Sequence, residues 1–336
     1  MLEAIGEGPA LVLVGLAGGV LLGLAARLGR FCTLGALEDL LLARDGMRAR
    51  MWLAAMGVAG LGTQALVASG AMGPRDAFYL TRAWSPAGAA LGGLAFGYGM
   101  AMAGTCGYGA LARLGGGDLR ALVIVAVMGV SALVTLSGPL APLRLALLPD
   151  AVSLDPRGLL PPVAGMALGA ALLVAAALGA RRGPVLGWGG RAGLAIVSGW
   201  AGTVWIAQTG FAADAPRSHN FAAPLGEALL WLMTSTGREA GFALGSVAGV
   251  LLGAMLGSGF RGSFRWEACD DPRELRRQMG GAALMGVGAV VALGCSVGQG
   301  LSAMSVLAAS APVTLAAIAI GGWLGLRRLV GAPALP

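Results

Sequence analysis

Residues 8–26, GPALVLVGLAGGVLLGLAA, carry no charge. At about 1.5 Å rise per residue, a helix of that length nearly matches a hydrocarbon core of roughly 30 Å. A chain with such a segment is constrained to put it in a bilayer. Composition agrees: 57% of residues are hydrophobic and 12% charged, against roughly 45–50% and about 25% in soluble domains. The preceding MLEAIGE holds two acids and no base. That is the reverse of a signal-peptide n-region, so the first span is expected to stay in the mature chain.

The remaining apolar runs predict an all-α integral membrane protein, one polytopic domain over 1–336. Full spans are expected near 8–28, 49–70, 86–105, 120–137, 159–180, 192–209, 240–258, 278–294 and 309–326. Pieces near 32–43, 222–236 and 296–308 are too short to cross and read as re-entrant segments. About nine transmembrane helices with short re-entrant helices follow.

Arginine placement orients the set, because cytoplasmic loops carry the basic excess. All 23 basic residues are arginine, and the net charge of +7 is spread over short loops instead of one basic face, which argues against nucleic acid. Loops at 27–50, 113–120, 181–191 and 261–277 fall on one side, with Arg327 and Arg328, if the N-terminus is outside. The arginine-poorer loops 71–85, 138–158 and 210–220 then face outward.

Glycine, 59 of 336 residues, marks where helices approach closely. Gly15, Gly19 and Gly23 form one small-residue face, and Gly245, Gly249, Gly253 and Gly257 form another. Both are expected to be packing seams. An internal repeat also shows. GGLAFGYGMAMAGTCGYG (92–109) and GGAALMGVGAVVALGCSVG (280–298) share a Gly-Gly start, a G-x-G, a cysteine nine residues after its first glycine, and C-x-x-G. Loop charges make the copies run in opposite directions, so an inverted pseudo-two-fold repeat is expected, with broken helices around a midplane site. The first half, 1–180, carries Cys32 and Cys106; the second, 181–336, carries Cys295.

Cysteines at 32, 106, 269 and 295 lack C-x-x-C spacing, so a zinc or thioredoxin-like motif is not expected. Cys106 and Cys295 each follow a long apolar helix among glycines (Gly107 and Gly109; Gly294 and Gly298) that can break it and free backbone N–H groups. A half-helix N-terminus there suits an anion. Cys32, with Gly35, repeats the C-x-x-G; Cys269, in a charged loop, does not and is set aside. A free thiol has a pKa of about 8.5 and is mostly neutral at pH 7. Thiols helped by Thr105, Ser296, Gln299 and Ser302 would therefore donate hydrogen bonds to a sulfur oxyanion without trapping it. Arg113 and Arg120 are expected near the inner mouth, and Glu227 is an acid within a short apolar segment. The lone His219, in DAPRSHN, reads as structural, and Met100, Met102, Met285 and Met304 as packing residues instead of soft-metal ligands.

GRFCTLGAL, AGTCGYGALARLGGGDLRAL, RSHNFAAPLGEALLWLMTSTG and GCSVGQGLSAMSVL together resemble the YeeE/YedE-type sulfur-transport family of bacterial inner-membrane proteins. The resemblance implies an hourglass-shaped helical fold that takes up thiosulfate, with a path served by three cysteines that fall on Cys32, Cys106 and Cys295. It also implies a TusA-like sulfur carrier in the cytoplasm as partner, lipid around the fold, and no enzyme activity or cofactor. Some relatives are associated with selenium instead. A different class of function stays open, in which the thiols take up sulfane sulfur as a persulfide and hand it on.

Overall fold

Close approach of glycine faces decides how these helices meet, because between lipid-facing helices packing does most of the work. A computed structural model describes residues 6–73, 76–148, 161–179, 182–210, 215–268 and 271–331. In chain order the helices are α1 (Glu7–Leu28), α2 (Thr33–Glu38, continuing as a π turn over Asp39–Ala43), α3 (Met47–Ala68), α4 (Phe78–Thr81) and α5 (Pro86–Ala103). There follow α6 (Gly107–Leu114), α7 (Arg120–Leu136), α8 (Ala141–Leu147), α9 (Pro162–Ala177) and α10 (Arg182–Thr209). The last are α11 (Ala223–Thr234), α12 (Phe242–Phe260), α13 (Pro272–Val291), α14 (residues 296–305, wound as a π-helix over Gly298–Ala303) and α15 (Ser310–Val330). Asp118 and Glu267 form an isolated β bridge, and no strand is formed among the described residues.

The protein is an all-α membrane protein. Among the described residues five stretches are long and apolar enough to cross a bilayer: Glu7–Ala43, Met47–Ala68, Pro86–Leu114, Phe242–Phe260 and Ser310–Val330. Helices α7 and α9 are apolar but shorter, and α10 and α13 begin with arginines. Large apolar side chains such as Leu13, Leu91, Val130, Val163 and Leu252 stand exposed on the helix flanks, where lipid would cover them.

The two glycine faces read from the sequence are the two sides of one seam. A Cβ on Gly15, Gly19 or Gly23 would run into the backbone of α12, and one on Gly245, Gly249 or Gly253 into that of α1. Val12 meets Gly245 and Val20 meets Gly253, so the two helices are parallel. Helix α5 runs parallel to α15, with Gly93 against Thr314 and Gly97 against Ile318. Against α13 it is antiparallel, with Gly92 on Gly288 and Gly99 on Gly281. Helices α1 and α10 are antiparallel as well, Val14 facing Gly202 and Gly29 facing Trp188. These relative directions match the alternation that arginine placement requires.

A correspondence runs through the pairs. In the register that puts Cys106 on Cys295, the contact Gly99–Gly281 becomes Gly288–Gly92, so each maps onto the other. Exchanging α1 with α10, α3 with α12, α5 with α13 and α7 with α15 likewise turns the pair α1–α12 into α10–α3, and α5–α15 into α13–α7; all four are extensive.

Three expectations need correction. Residues 182–191 are not a loop but the first turns of α10, where Arg191 lies over the Trp188 ring, 4.5 Å from its centroid. The three short pieces expected are joined by further short helices among the described residues: α6, masked in the sequence by its glycines and Arg113, and the still shorter α4 and α8. The stretch 71–85 is not a plain outer loop: α4 folds in and buries Tyr79.

Candidate functional site

Cys32, Cys106 and Cys295 share one local geometry. Two residues before each, the chain turns through the left-handed region, at Arg30 (φ 58°), Gly104 (φ 70°) and Leu293 (φ 58°). The cysteine then caps a short helix, and its Sγ accepts the N–H of the glycine three residues on: Gly35 at 3.5 Å, Gly109 at 3.4 Å and Gly298 at 3.4 Å. The C-x-x-G pattern is therefore a sulfur N-cap, with thiol in the place usually taken by a serine or aspartate oxygen. Since the sulfur's acceptor side is turned to the backbone, its S–H is left to donate elsewhere. Each motif glycine is required by a different neighbour. A Cβ would collide with the Arg48 guanidinium at Gly35, with Thr105 Oγ1 at Gly109, and with Asn220 and Tyr79 at Gly298.

The three motifs meet in a buried waist. Thr33, the first residue of α2, donates its hydroxyl to Ser296 Oγ at 3.0 Å, and Gly107, next to Cys106, packs on the carbonyl of Phe221, whose N–H reaches the Cys295 sulfur. Cys106 and Cys295 are each 1% exposed. A second element closes on Cys295 from the loop before α11: Phe221 N–H donates to its Sγ at 3.2 Å, and Asn220 Oδ1 accepts its backbone N–H at 3.3 Å. The fully buried Phe221 ring lies 5.5 Å from that of Tyr108, whose hydroxyl donates to Leu22 O at 2.6 Å. Phe31 stacks on Trp52 at 4.9 Å beside Cys32.

Recesses open toward the waist from opposite ends of α1. Past its C-terminal end, a vestibule of about 680 Å³ is lined by Arg27, Arg30, Arg48, Arg113 and Arg261, with Cys32, Thr105 and Gly109 among its walls. Of the five arginines only Arg48 pairs with a carboxylate, that of Asp39, among the described residues. Arg27 donates to Ser258 Oγ (2.7 Å), Arg113 to Gly104 O (2.7 Å) and Arg261 to Leu28 O (2.6 Å). Those partners fix the guanidinium groups without neutralising them. Near the N-terminal end of α1, a recess of about 210 Å³ carries Arg217, Arg238, Glu227 and Glu239, two charges of each sign. A deeper pocket of about 80 Å³ shares Arg217 and Glu227 and adds Tyr79 and Asn220.

Not every expected residue faces the path. Gln299 spans its own segment: its amide nitrogen donates to Ala292 O (2.8 Å), repairing the broken end of α13, and its oxygen accepts from Ser310 (3.3 Å). Ser302 donates to His219 O at 2.7 Å and pins the loop that carries Asn220. Gly107 makes room for Met128 and the Phe221 carbonyl, and Gly294 abuts Gln299. Arg120 pairs with Asp118 at 3.0 Å and with Glu267 at 3.3 Å, to the side of the vestibule. His219 is fully buried, its Nδ1 2.7 Å from Ser246 Oγ and its ring against Gly18. Met100 and Met285 are buried core residues. Cys269 lies outside the described residues. Thr33, Tyr79, Asn220 and Phe221 are the residues that sequence reasoning missed, although the quoted segments GRFCTLGAL and RSHNF contain three of them.

Comparison with known proteins gives this arrangement a context. A family model described as sulphur transport matches residues 28–324. The thiosulfate transporter TsuA of Escherichia coli (strain K12) is 26% identical over 342 residues, covering 94% of this chain and 91% of its own.

Proposed function

The chain belongs to the sulphur-transport family, and from that premise we propose that it carries thiosulfate inward across the bacterial inner membrane, past three neutral thiols. The observation that carries this reading is the convergence of three sulfur-capped helices between two recesses, linked through Thr33 and Ser296. Backbone N–H groups hold each sulfur in place while its own proton faces the passing anion. Neutral donors suit a conduit, since a buried arginine would bind the dianion tightly and costs at least about 2.5–3.5 kcal/mol in the bilayer centre.

The end with five arginines is the cytoplasmic one in this reading, which leaves the N-terminus outside and the C-terminus inside. Moving a dianion inward against an interior-negative potential costs about 4.6 kcal/mol per 100 mV. The positive vestibule offsets part of that cost at the exit, and removal of the product by a cytoplasmic TusA-like carrier would draw the flow on. The exchange of helix pairs described above is what an inverted repeat with its axis through the waist would produce.

A second reading rests on Cys295, whose sulfur accepts two backbone N–H bonds, from Phe221 and Gly298. Such donors also suit a thiolate. Its attack on the sulfane sulfur of thiosulfate would form a Cys–S–S⁻ persulfide and release sulfite, with the S–S bonding pair leaving on sulfite. Serine separates the readings, because it keeps the cap and a hydroxyl donor but forms no persulfide. Uptake of ³⁵S-labelled thiosulfate by liposomes holding Cys106→Ser and Cys295→Ser is expected to persist at a reduced rate. Complete loss in folded protein would favour covalent transfer, and no uptake by the wild-type protein would sink both.

A further inference from the structure

The motif glycine Gly298 stands where a Cβ would lie 2.7 Å from Asn220 Oδ1 and 2.9 Å from the Tyr79 hydroxyl. These two side chains come from distant parts of the chain, α4 and the loop before α11, yet both line the 80 Å³ pocket that opens to the outer recess. Both also approach Cys295. Asn220 accepts its backbone N–H, and the Tyr79 hydroxyl reaches Gly298, whose N–H donates to the Cys295 sulfur. Tyr79 and Asn220 thus join Cys295 to a pocket that Arg217 and Glu227 also line.

The hydrogen-bond pattern fixes what this pair offers. Asn220 Oδ1 accepts two backbone N–H groups, of Cys295 at 3.3 Å and Ala222 at 3.2 Å. Its acceptor end is thereby used up and its Nδ2 group, a double donor, is turned away from that backbone. The Tyr79 ring is held edge-on by Trp200 (6.5 Å) and Phe78 (5.5 Å). Trp200 is itself tied to Ser305 Oγ at 3.1 Å, and the Phe78 N–H to Pro216 O at 3.1 Å. The phenol oxygen is thus placed by packing at the 216–222 loop. A pocket of 80 Å³ has room for a small tetrahedral anion and none for a drug-sized ligand, which needs about 300 Å³ or more.

We infer that Tyr79 and Asn220 form the outer recognition site for the transported oxyanion, donating from the phenol O–H and the carboxamide N–H₂ to its terminal oxygens before Cys295 meets it. The inference rests on the transport reading above and names the residues that read the substrate on entry. Neutral donors here select an oxyanion by its acceptors, and Arg217, which lines the same pocket along with Glu227, supplies attraction.

The test uses the full-length protein in liposomes, with ³⁵S-thiosulfate uptake measured against concentration, and thiosulfate-induced thermal stabilisation measured in detergent. Tyr79→Phe keeps the ring packing and removes one donor. It is expected to raise the half-saturating concentration about tenfold or more with the saturating rate within about twofold. Asn220→Asp keeps the acceptor for both backbone N–H groups but replaces the donor with a charge. It is expected to abolish stabilisation by thiosulfate while leaving the ligand-free melting temperature near that of the wild type. An unchanged half-saturation in Tyr79→Phe, or a lower rate at unchanged half-saturation, would overturn the inference. If the wild-type protein moved no thiosulfate, the transport reading would fall; the detergent measurement would still decide whether Tyr79 and Asn220 bind the anion.

Discussion

The vestibule past the C-terminal end of α1 and the recess near its N-terminal end differ in the groups they would offer an anion. Five arginines line the first, one of them paired with a carboxylate among the described residues. The second balances Arg217 and Arg238 against Glu227 and Glu239, and narrows to Tyr79 and Asn220. In the proposed transport one end would hold an anion by charge and the other would read it by hydrogen bonds. Coulomb attraction is indifferent to shape and falls with salt, whereas a fixed pair of donors discriminates by position. A conduit built this way can be selective at the entrance and attractive at the exit without a deep trap between.

The sharpest break in this comparison comes from equivalent glycines at its two ends. Gly298→Ala pushes a methyl group against Asn220 and Tyr79, and since a displacement of about 1 Å can cost about 100-fold, uptake is expected to fall by about that factor. Gly35→Ala meets only the Arg48 guanidinium, the far end of a flexible side chain, and is expected to retain most of the uptake. Comparable losses in labelled-thiosulfate assays would erase the distinction between the ends. A smaller effect is expected from reversing charge at the inner end. Arg30→Glu with Arg113→Glu should slow the saturating inward rate about 10-fold while half-saturation on the outer side stays put; a raised half-saturation would show that the outer recess also depends on those arginines.

Ionic strength sharpens the contrast further. Raising salt from about 0.01 M to 1 M shortens the screening length from about 30 Å to 3 Å. Half-saturation measured from the outside should change less than efflux measured from liposomes loaded on the arginine side. The smallest expected effect lies between the two ends: Leu293→Gly relieves a left-handed residue (φ 58°) next to Cys295. It should leave uptake unchanged and stabilise the fold by about 1 kcal/mol, read as a rise in melting temperature. A fall in uptake would mean that the rigid turn itself aims the thiol.

Much of the fold was legible because lipid imposes a coarse rule: apolar length, glycine periodicity and arginine sidedness each survive translation into helices. The seam between α1 and α12 could be read from Gly15, Gly19, Gly23 and their counterparts without knowing that the two faces were partners. The cysteine motifs were legible because C-x-x-G is a local cap, complete within four residues. Tyr79 and Asn220 were not, since their relation to Cys295 crosses large sequence separations; the Asn220 hydrogen bond alone spans 75 positions. A tyrosine in an arginine-poor connecting segment gives no sign that packing against Trp200 will bury it. Gln299 misled for a related reason. A polar side chain in an apolar stretch can serve a ligand or a broken helix end, and only the hydrogen bond to Ala292 O tells which.

The sulfur caps carry one more consequence. A thiol presents a hydrogen to anions and a lone pair to soft cations, and here the lone-pair side of all three is turned toward the chain's own N–H groups. An oxyanion arriving at the waist would meet the S–H face that those bonds leave open. In the proposed path the three thiols would therefore sort passing solutes by polarity, with no fixed charge spent at the waist.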